Sequence, residues 1–147
     1  MSFNKNKNKE FKFSEKISID ERIVFYKRKL VYAFTNLKPL LPGHVLLAPT
    51  RVEKSYGNLT ETEVMDLWIS AKNIAENLKR YYHTDSVQMS IQDGAEAGQT
   101  VEHCHMHIIP IPDNYNPSSV DNVERNGRSI EEMIQEAEIY KQNFVFN

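Results

Sequence analysis

The sequence predicts an α+β protein built on an antiparallel sheet, with one long helix and a second helix at the C-terminal end. Three observations predict it. Short runs rich in Ile, Val, Phe and Tyr follow one another before residue 50, joined by connections too short for parallel crossovers. Residues 60–82 repeat apolar side chains at three- and four-residue spacing, and residues 86–92 and 103–109 return to period two.

Residues 4–9 alternate asparagine and lysine, so residues 1–10 are expected to be a mobile tail and residues 11–147 a single domain. Strands are expected over residues 11–19, 23–27, 30–35 and 44–48, with breaks at Asp20-Glu21, Lys38-Pro39 and Pro42-Gly43. Thr60 with Glu63 forms a capping box. Behind it, Val64, Leu67, Trp68, Ala71, Ile74, Ala75, Leu78 and Tyr82 build one apolar face, which makes Trp68 a core anchor and puts His83 just past the helix end. Over 86–92, Ser86, Gln88, Ser90 and Gln92 alternate with Val87, Met89 and Ile91, a half-buried strand. A turn with Gly94 and Gly98 leads to a strand over 103–109, stopped by Pro110 and Pro112. Residues 113–127 are polar and read as a flexible surface loop. Ser129 and Glu132 cap a last helix over 129–143, whose apolar stripe is Ile130, Met133, Ile134 and Ala137.

At 147 residues, 40% hydrophobic and 26% charged, the chain has ordinary globular composition and length for one domain. A net charge of −2 and pI of about 6.2 give no general pull toward nucleic acid or acidic membranes, so neither is expected as a partner; small nucleotides stay open. Cys104 is the single cysteine and can form no internal disulfide, which points to a reducing compartment. The first 13 residues hold no apolar stretch of signal-peptide kind, and no window approaches 18 uninterrupted apolar residues.

Three of the five histidines fall within His103-Cys104-His105-Met106-His107. On a strand their imidazoles share one face, spaced ~7 Å apart, while Cys104, Met106 and Ile108 take the other. Three chemistries compete: a zinc site, nucleophilic catalysis at phosphorus, or an incidental imidazole row on an exposed sheet. A closed zinc site lacks an evident fourth ligand beyond His44 and scattered carboxylates. Gln92, Gln99 and Thr100 offer uncharged donors nearby, and Gly94 and Gly98 permit close approach of backbone amides, which suits a phosphate carrying its own divalent cation. His44, after Pro42-Gly43, is either a satisfied buried histidine or a partner of the row.

The run His103-Cys104-His105-Met106-His107-Ile108-Ile109 matches the His-x-His-x-His-apolar-apolar signature of the histidine triad superfamily. Residues 36–46, Asn-Leu-Lys-Pro-Leu-Leu-Pro-Gly-His-Val-Leu, and residues 90–101, Ser-Ile-Gln-Asp-Gly-Ala-Glu-Ala-Gly-Gln-Thr-Val, resemble its fragile histidine triad branch. The resemblance runs from about residue 11 to 110 and resumes at 128–133. Gly98-Gln99-Thr100 before the triad, with Trp68 in a helix as the one tryptophan, favours this branch over the phosphoramidase branch, which usually carries Gly-Gln-Ser there and a tryptophan in its C-terminal tail. The galactose-1-phosphate uridylyltransferase relatives are longer, carry separate metal ligands and fit poorly.

The resemblance implies the histidine triad fold and hydrolysis of dinucleoside polyphosphates, diadenosine triphosphate giving AMP and ADP. It implies His105 as the nucleophile that becomes a nucleotidyl-histidine, His107 as the contact near the leaving oxygen, and His103 with His44 as the supporting shell. Gln92, Gln99 and Thr100 would hold the phosphate chain, Asn36 the ribose, and Phe13, Phe34 and Leu46 the base. A magnesium or manganese ion would travel with the substrate, with no metal held by the protein itself. The family further implies a homodimer in a cytoplasmic setting, with the nucleus also open. The family's loop tyrosine has no counterpart in Asp121-Asn122-Val123-Glu124, the loop is shorter than usual and Tyr115 lies earlier, so regulation through that tyrosine is not expected. Two alternatives use the same residues: a purine nucleoside phosphoramidase, and a nucleotide-binding signalling module with slow turnover.

Overall fold

The computed structural model describes residues 10–116 and 125–146. The asparagine–lysine tail up to residue 9 and the loop stretch 117–124 lie outside them. Five strands form the main sheet: β3 (Val24–Lys27), β4 (Val31–Thr35), β5 (Val45–Pro49), β6 (Ser86–Ile91) and β7 (Met106–Ile111). Their spatial order is β3-β4-β5-β7-β6 and every pairing is antiparallel. β1 (Glu10–Lys12) and β2 (Ser18–Asp20) form a separate hairpin. The helices are α1 (Glu61–Tyr82) and α2 (Ile130–Asn143).

Both helices begin where their capping boxes place them: Thr60 and Glu63 exchange side-chain and backbone bonds, as do Ser129 and Glu132. His83 closes α1 in the left-handed conformation. Period-two alternation divides the sheet's residues between two cores. Val31, Ala33, Val45, Leu47, Met106 and Ile108 meet Leu67, Ala71, Ile74 and Leu78 of α1 on one face. On the other, Tyr32, Phe34, Leu46 and Ala48 meet Phe11, Phe13 and Ile19 of the hairpin and Met133 of α2. This second face carries the site, and Cys104, Met106 and Ile108 are buried away from solvent as the alternation requires.

Several expectations are corrected. The strand over 11–19 is a hairpin. Phe13 and Ser14 donate to the Ile17 carbonyl, and the Ser14 hydroxyl accepts from the amides of Lys16 and Ile17, making a turn without Gly or Pro. Trp68 is no core anchor: it is 43% exposed and its indole donates to the Tyr56 hydroxyl, because Leu67, one position back, holds the inward direction. The strand over 103–109 starts only at Met106, since the amides of His103 and Cys104 are drawn to the carbonyls of Val101 and Glu53. Pro110 sits inside β7 and does not stop it; β5 pairing ends at Ile108, so on that side the strand is already an edge. β6 follows its expected alternation only as far as Gln88: as the outer strand it leaves Met89 41% exposed while Ser90 is half-buried. Ile130 is likewise exposed, and Tyr140 takes the buried place in α2.

Candidate active site

The turn after β4 sets the first of the candidate side chains. Gly43 has φ +85°, and a Cβ there would lie 2.5 Å from the Tyr82 ring and 2.7 Å from the Pro110 ring. This close approach threads the chain between two rings and delivers His44 to the sheet. His44 Nδ1 accepts from the Leu40 amide at 2.9 Å, so its proton is on Nε2, which donates to His107 Nδ1 at 2.9 Å. His107 therefore carries its own proton on Nε2, a buried atom with no partner among the described residues. His105 has the opposite tautomer. Its Nδ1 lies 2.7 Å from the His103 carbonyl, which can only accept, so the Nε2 lone pair is free. The two rings stand 5.0 Å apart, one offering a lone pair and the other an N–H.

His103 faces backbone groups with both ring nitrogens. Its ring accepts from the Glu53 amide through Nδ1 (3.2 Å) and donates through Nε2 to the Pro49 carbonyl (2.9 Å). It pins the triad segment to the end of β5 and orients His105 through its own carbonyl. Both ring nitrogens of His103 and of His44 are thus engaged in hydrogen bonds. Glu53, which sequence reasoning missed, is the brace: its carboxylate accepts from Arg51, Ser55 and Asn58, while its backbone holds His103 and Cys104. Backbone acceptors leave no mark in a sequence pattern.

Burial pushes all four imidazoles below their ordinary range, His107 to about 4 and His44 to about 3, with neighbouring His107, Arg125 and Arg128 adding to the effect on His44. At neutral pH the row is uncharged, which keeps the His105 lone pair available. Activity should fall as pH drops below the ordinary histidine range, first as His105 gains a proton on the nitrogen that attacks, and further toward pH 4 and below as His107 and then His44 gain protons on the nitrogens that must accept. Unfolded histidines titrate near the ordinary value of 6.5, so as pH falls from there toward 4 the unfolded chain binds protons that the folded chain refuses. Thermal stability should decline through that window, and melting temperature and turnover followed from pH 8 to pH 4 check both.

Phe13 of the hairpin stands edge-on to His103, His105 and Phe34 at 5.2–5.3 Å, and Leu46 pairs with both Phe34 and His107 across the sheet. The three expected base-pocket residues therefore come together beside the triad. Asn36 follows β4; its side-chain oxygen accepts from the Lys38 amide, leaving the amide nitrogen for a ligand. Its carbonyl accepts from Arg128, whose guanidinium also forks onto Glu136, so α2 fastens this turn. Gln92 lies exposed over Gly98, where a Cβ would come 2.6 Å from its amide nitrogen. Thr100 is exposed on a cleft of about 580 Å³ bordered by Ser14, Lys16 and Lys54. Gln99 is corrected: its amide accepts from Gly94 and donates to the Lys54 and Val101 carbonyls, so it staples the loop instead of facing a phosphate.

Fold and site define a class: an antiparallel α+β protein presenting a histidine lone pair opposite a histidine N–H beside an aromatic cluster. The family model described as the HIT domain matches residues 18–114, and the chain belongs to that family. It is 44% identical over 119 residues to the bis(5'-adenosyl)-triphosphatase of Dictyostelium discoideum, a match covering 78% of this chain and 80% of that one. Among solved structures it resembles Plasmodium falciparum diadenosine triphosphate hydrolase in complex with cyclomarin A, with TM-score 0.80, 35% identity, and coverage of 96% and 88%. It also resembles the C. elegans NitFhit protein, with TM-score 0.81 and 36% identity over 92% of this chain, which spans 30% of that longer protein.

Proposed function

We propose that the protein hydrolyses dinucleoside polyphosphates, diadenosine triphosphate among them, to a nucleoside monophosphate and the remaining nucleotide. The observation that carries this is the opposed tautomer pair, His105 with a bare Nε2 and His107 with an unpartnered Nε2–H. The His105 lone pair attacks the α-phosphorus and the bond to the bridging oxygen breaks, with its electron pair leaving on ADP. His107 donates a hydrogen bond to the phosphoryl group near that oxygen. The nucleotidyl-imidazole carries a positive charge, which the His103 carbonyl stabilises through the Nδ1–H. Water then attacks phosphorus and gives up a proton to solvent, the P–N bond breaks with its electron pair returning to Nε2, and AMP leaves with His105 neutral again.

Asn36 would bind the ribose, Gln92 and Thr100 the phosphate chain, and Phe13, Phe34 and Leu46 the base. These donors are uncharged, so they fit a polyphosphate whose oxygens already hold magnesium or manganese. Among the described residues no group of three His, Cys, Asp or Glu side chains is placed to hold a metal. The same reading includes a dimer. α1 turns Met65, Trp68 and Ile69 outward, Met89 adds to them from the unpaired edge of β6, and a second copy would cover this apolar row.

Hydrolysis of diadenosine triphosphate in ¹⁸O-water, with magnesium, tests the reading. Label should enter AMP and not ADP, because water attacks the α-phosphorus held on His105. Label in ADP would overturn the mechanism; turnover of an adenosine phosphoramidate alone would assign the phosphoramidase activity; tight binding without turnover would assign the signalling module.

A further inference from the structure

Tyr32 is fully buried on the site's face of the sheet, and its hydroxyl has no hydrogen-bond partner among the described residues. A phenylalanine would fill the same space without burying an unpaired O–H, so the oxygen is unfavourable for the ligand-free protein unless something else meets it. Its position suggests what. Tyr32 and Phe34 are alternate residues of β4, their rings stacked at 5.5 Å, and Asn36 is the next step of that alternation. A nucleoside with its ribose at Asn36 and its base over Phe34 points the far edge of that base along the strand toward Tyr32, ~7 Å beyond Phe34. Across the sheet Tyr32 pairs with Ala48, the smallest side chain of this face, one position past the last β5–β7 pair, Leu47 with Met106. Ala48 and Tyr32 are both fully buried, so a base reaching the hydroxyl has to displace what covers them.

We infer that the Tyr32 hydroxyl reads the outer edge of a purine base held in this pocket, and so sets the enzyme's preference for purine over pyrimidine nucleotides. The inference rests on the nucleotide site proposed above. A hydroxyl can donate to a ring nitrogen or carbonyl and accept from an exocyclic amine, so adenine and guanine both offer it a partner. A single-ring pyrimidine is shorter and stops outside hydrogen-bond distance. Burial raises the phenol above its ordinary range, which keeps the proton in place for donation. The roof over Tyr32 is Phe11, stacked at 4.6 Å on the β1–β2 hairpin, and that hairpin shares no strand pairing with the main sheet. Admitting the base requires that hairpin to shift.

Tyr32→Phe in the full chain removes the oxygen alone. Binding of AMP and UMP by titration calorimetry, and KM for diadenosine and diuridine triphosphates, are measured beside the melting temperature. The variant should bind AMP about 10-fold more weakly with UMP unchanged. KM for the diadenosine substrate should rise equally at constant kcat, and the melting temperature should hold or rise. Unchanged AMP affinity, or equal losses for AMP and UMP, would overturn the inference, as would a melting temperature several degrees lower without a purine-specific loss. If the wild type binds AMP yet hydrolyses neither dinucleotide, the hydrolase reading fails, while the AMP and UMP titrations still decide the role of Tyr32.

Discussion

His105→Asn should lower kcat for diadenosine triphosphate on the order of 10⁴-fold or more while KM changes little. The expectation follows from which atom is lost. Asparagine can still donate through its amide to the His103 carbonyl, now 2.7 Å from His105 Nδ1, so the segment before β7 keeps its shape. It has no basic lone pair to offer phosphorus, so the covalent route closes and only direct attack by water remains. His105 is 8% exposed and its ring contacts Phe13, so the smaller side chain leaves room for water without opening the core. Rapid-quench analysis should show a stoichiometric first burst of ADP in the wild type if breakdown of the intermediate limits turnover, and none in the variant. A variant retaining a tenth of wild-type turnover with its fold intact would remove His105 from the nucleophile's role.

The residues of this chemistry were legible in the sequence, but the arrangement that makes them reactive was not. Three histidines at alternate positions, the glycine before His44 and both capping boxes are local patterns, so spacing alone reveals them. The tautomers are set by backbone groups: the His103 carbonyl and the Leu40 amide lie close along the chain to the rings they meet, whereas the Pro49 carbonyl is 54 positions from His103 and the Glu53 amide 50. Neither depends on a distinctive side chain. The misreadings share that origin. The triad strand begins late because the Cys104 amide is captured by Glu53, and Gln99 turns inward because the Gly94 amide and the Lys54 carbonyl are there to meet it. The hairpin turn at Ser14 lacks the glycine or proline that announces most turns. Trp68 shows the limit of a helical stripe: spacing defines an arc, and only packing decides which end of it faces the core.

The relay from His44 gives the second large effect, and it separates position from proton placement. His44→Phe should lower kcat on the order of 10²–10³-fold, because His107 loses the donor that keeps its own proton on Nε2. Freed of that bond, the His107 ring can place its proton on Nδ1 and turn a lone pair toward the phosphate oxygens, a repulsive contact where an attractive one is needed. His44→Gln should recover most of the loss, since the glutamine amide reaches as far as the imidazole Nε2 and can donate to His107 Nδ1 in its place. A purely structural role predicts the reverse order, with the apolar ring better tolerated in a position that is 5% exposed. Nitrogen chemical shifts of His107 provide the readout independent of turnover: Nε2 protonated in the wild type and in His44→Gln, a tautomer mixture in His44→Phe. If His107 keeps a single tautomer in all three while kcat still falls, the Leu40–His44–His107 chain shapes the loop and does not place the proton.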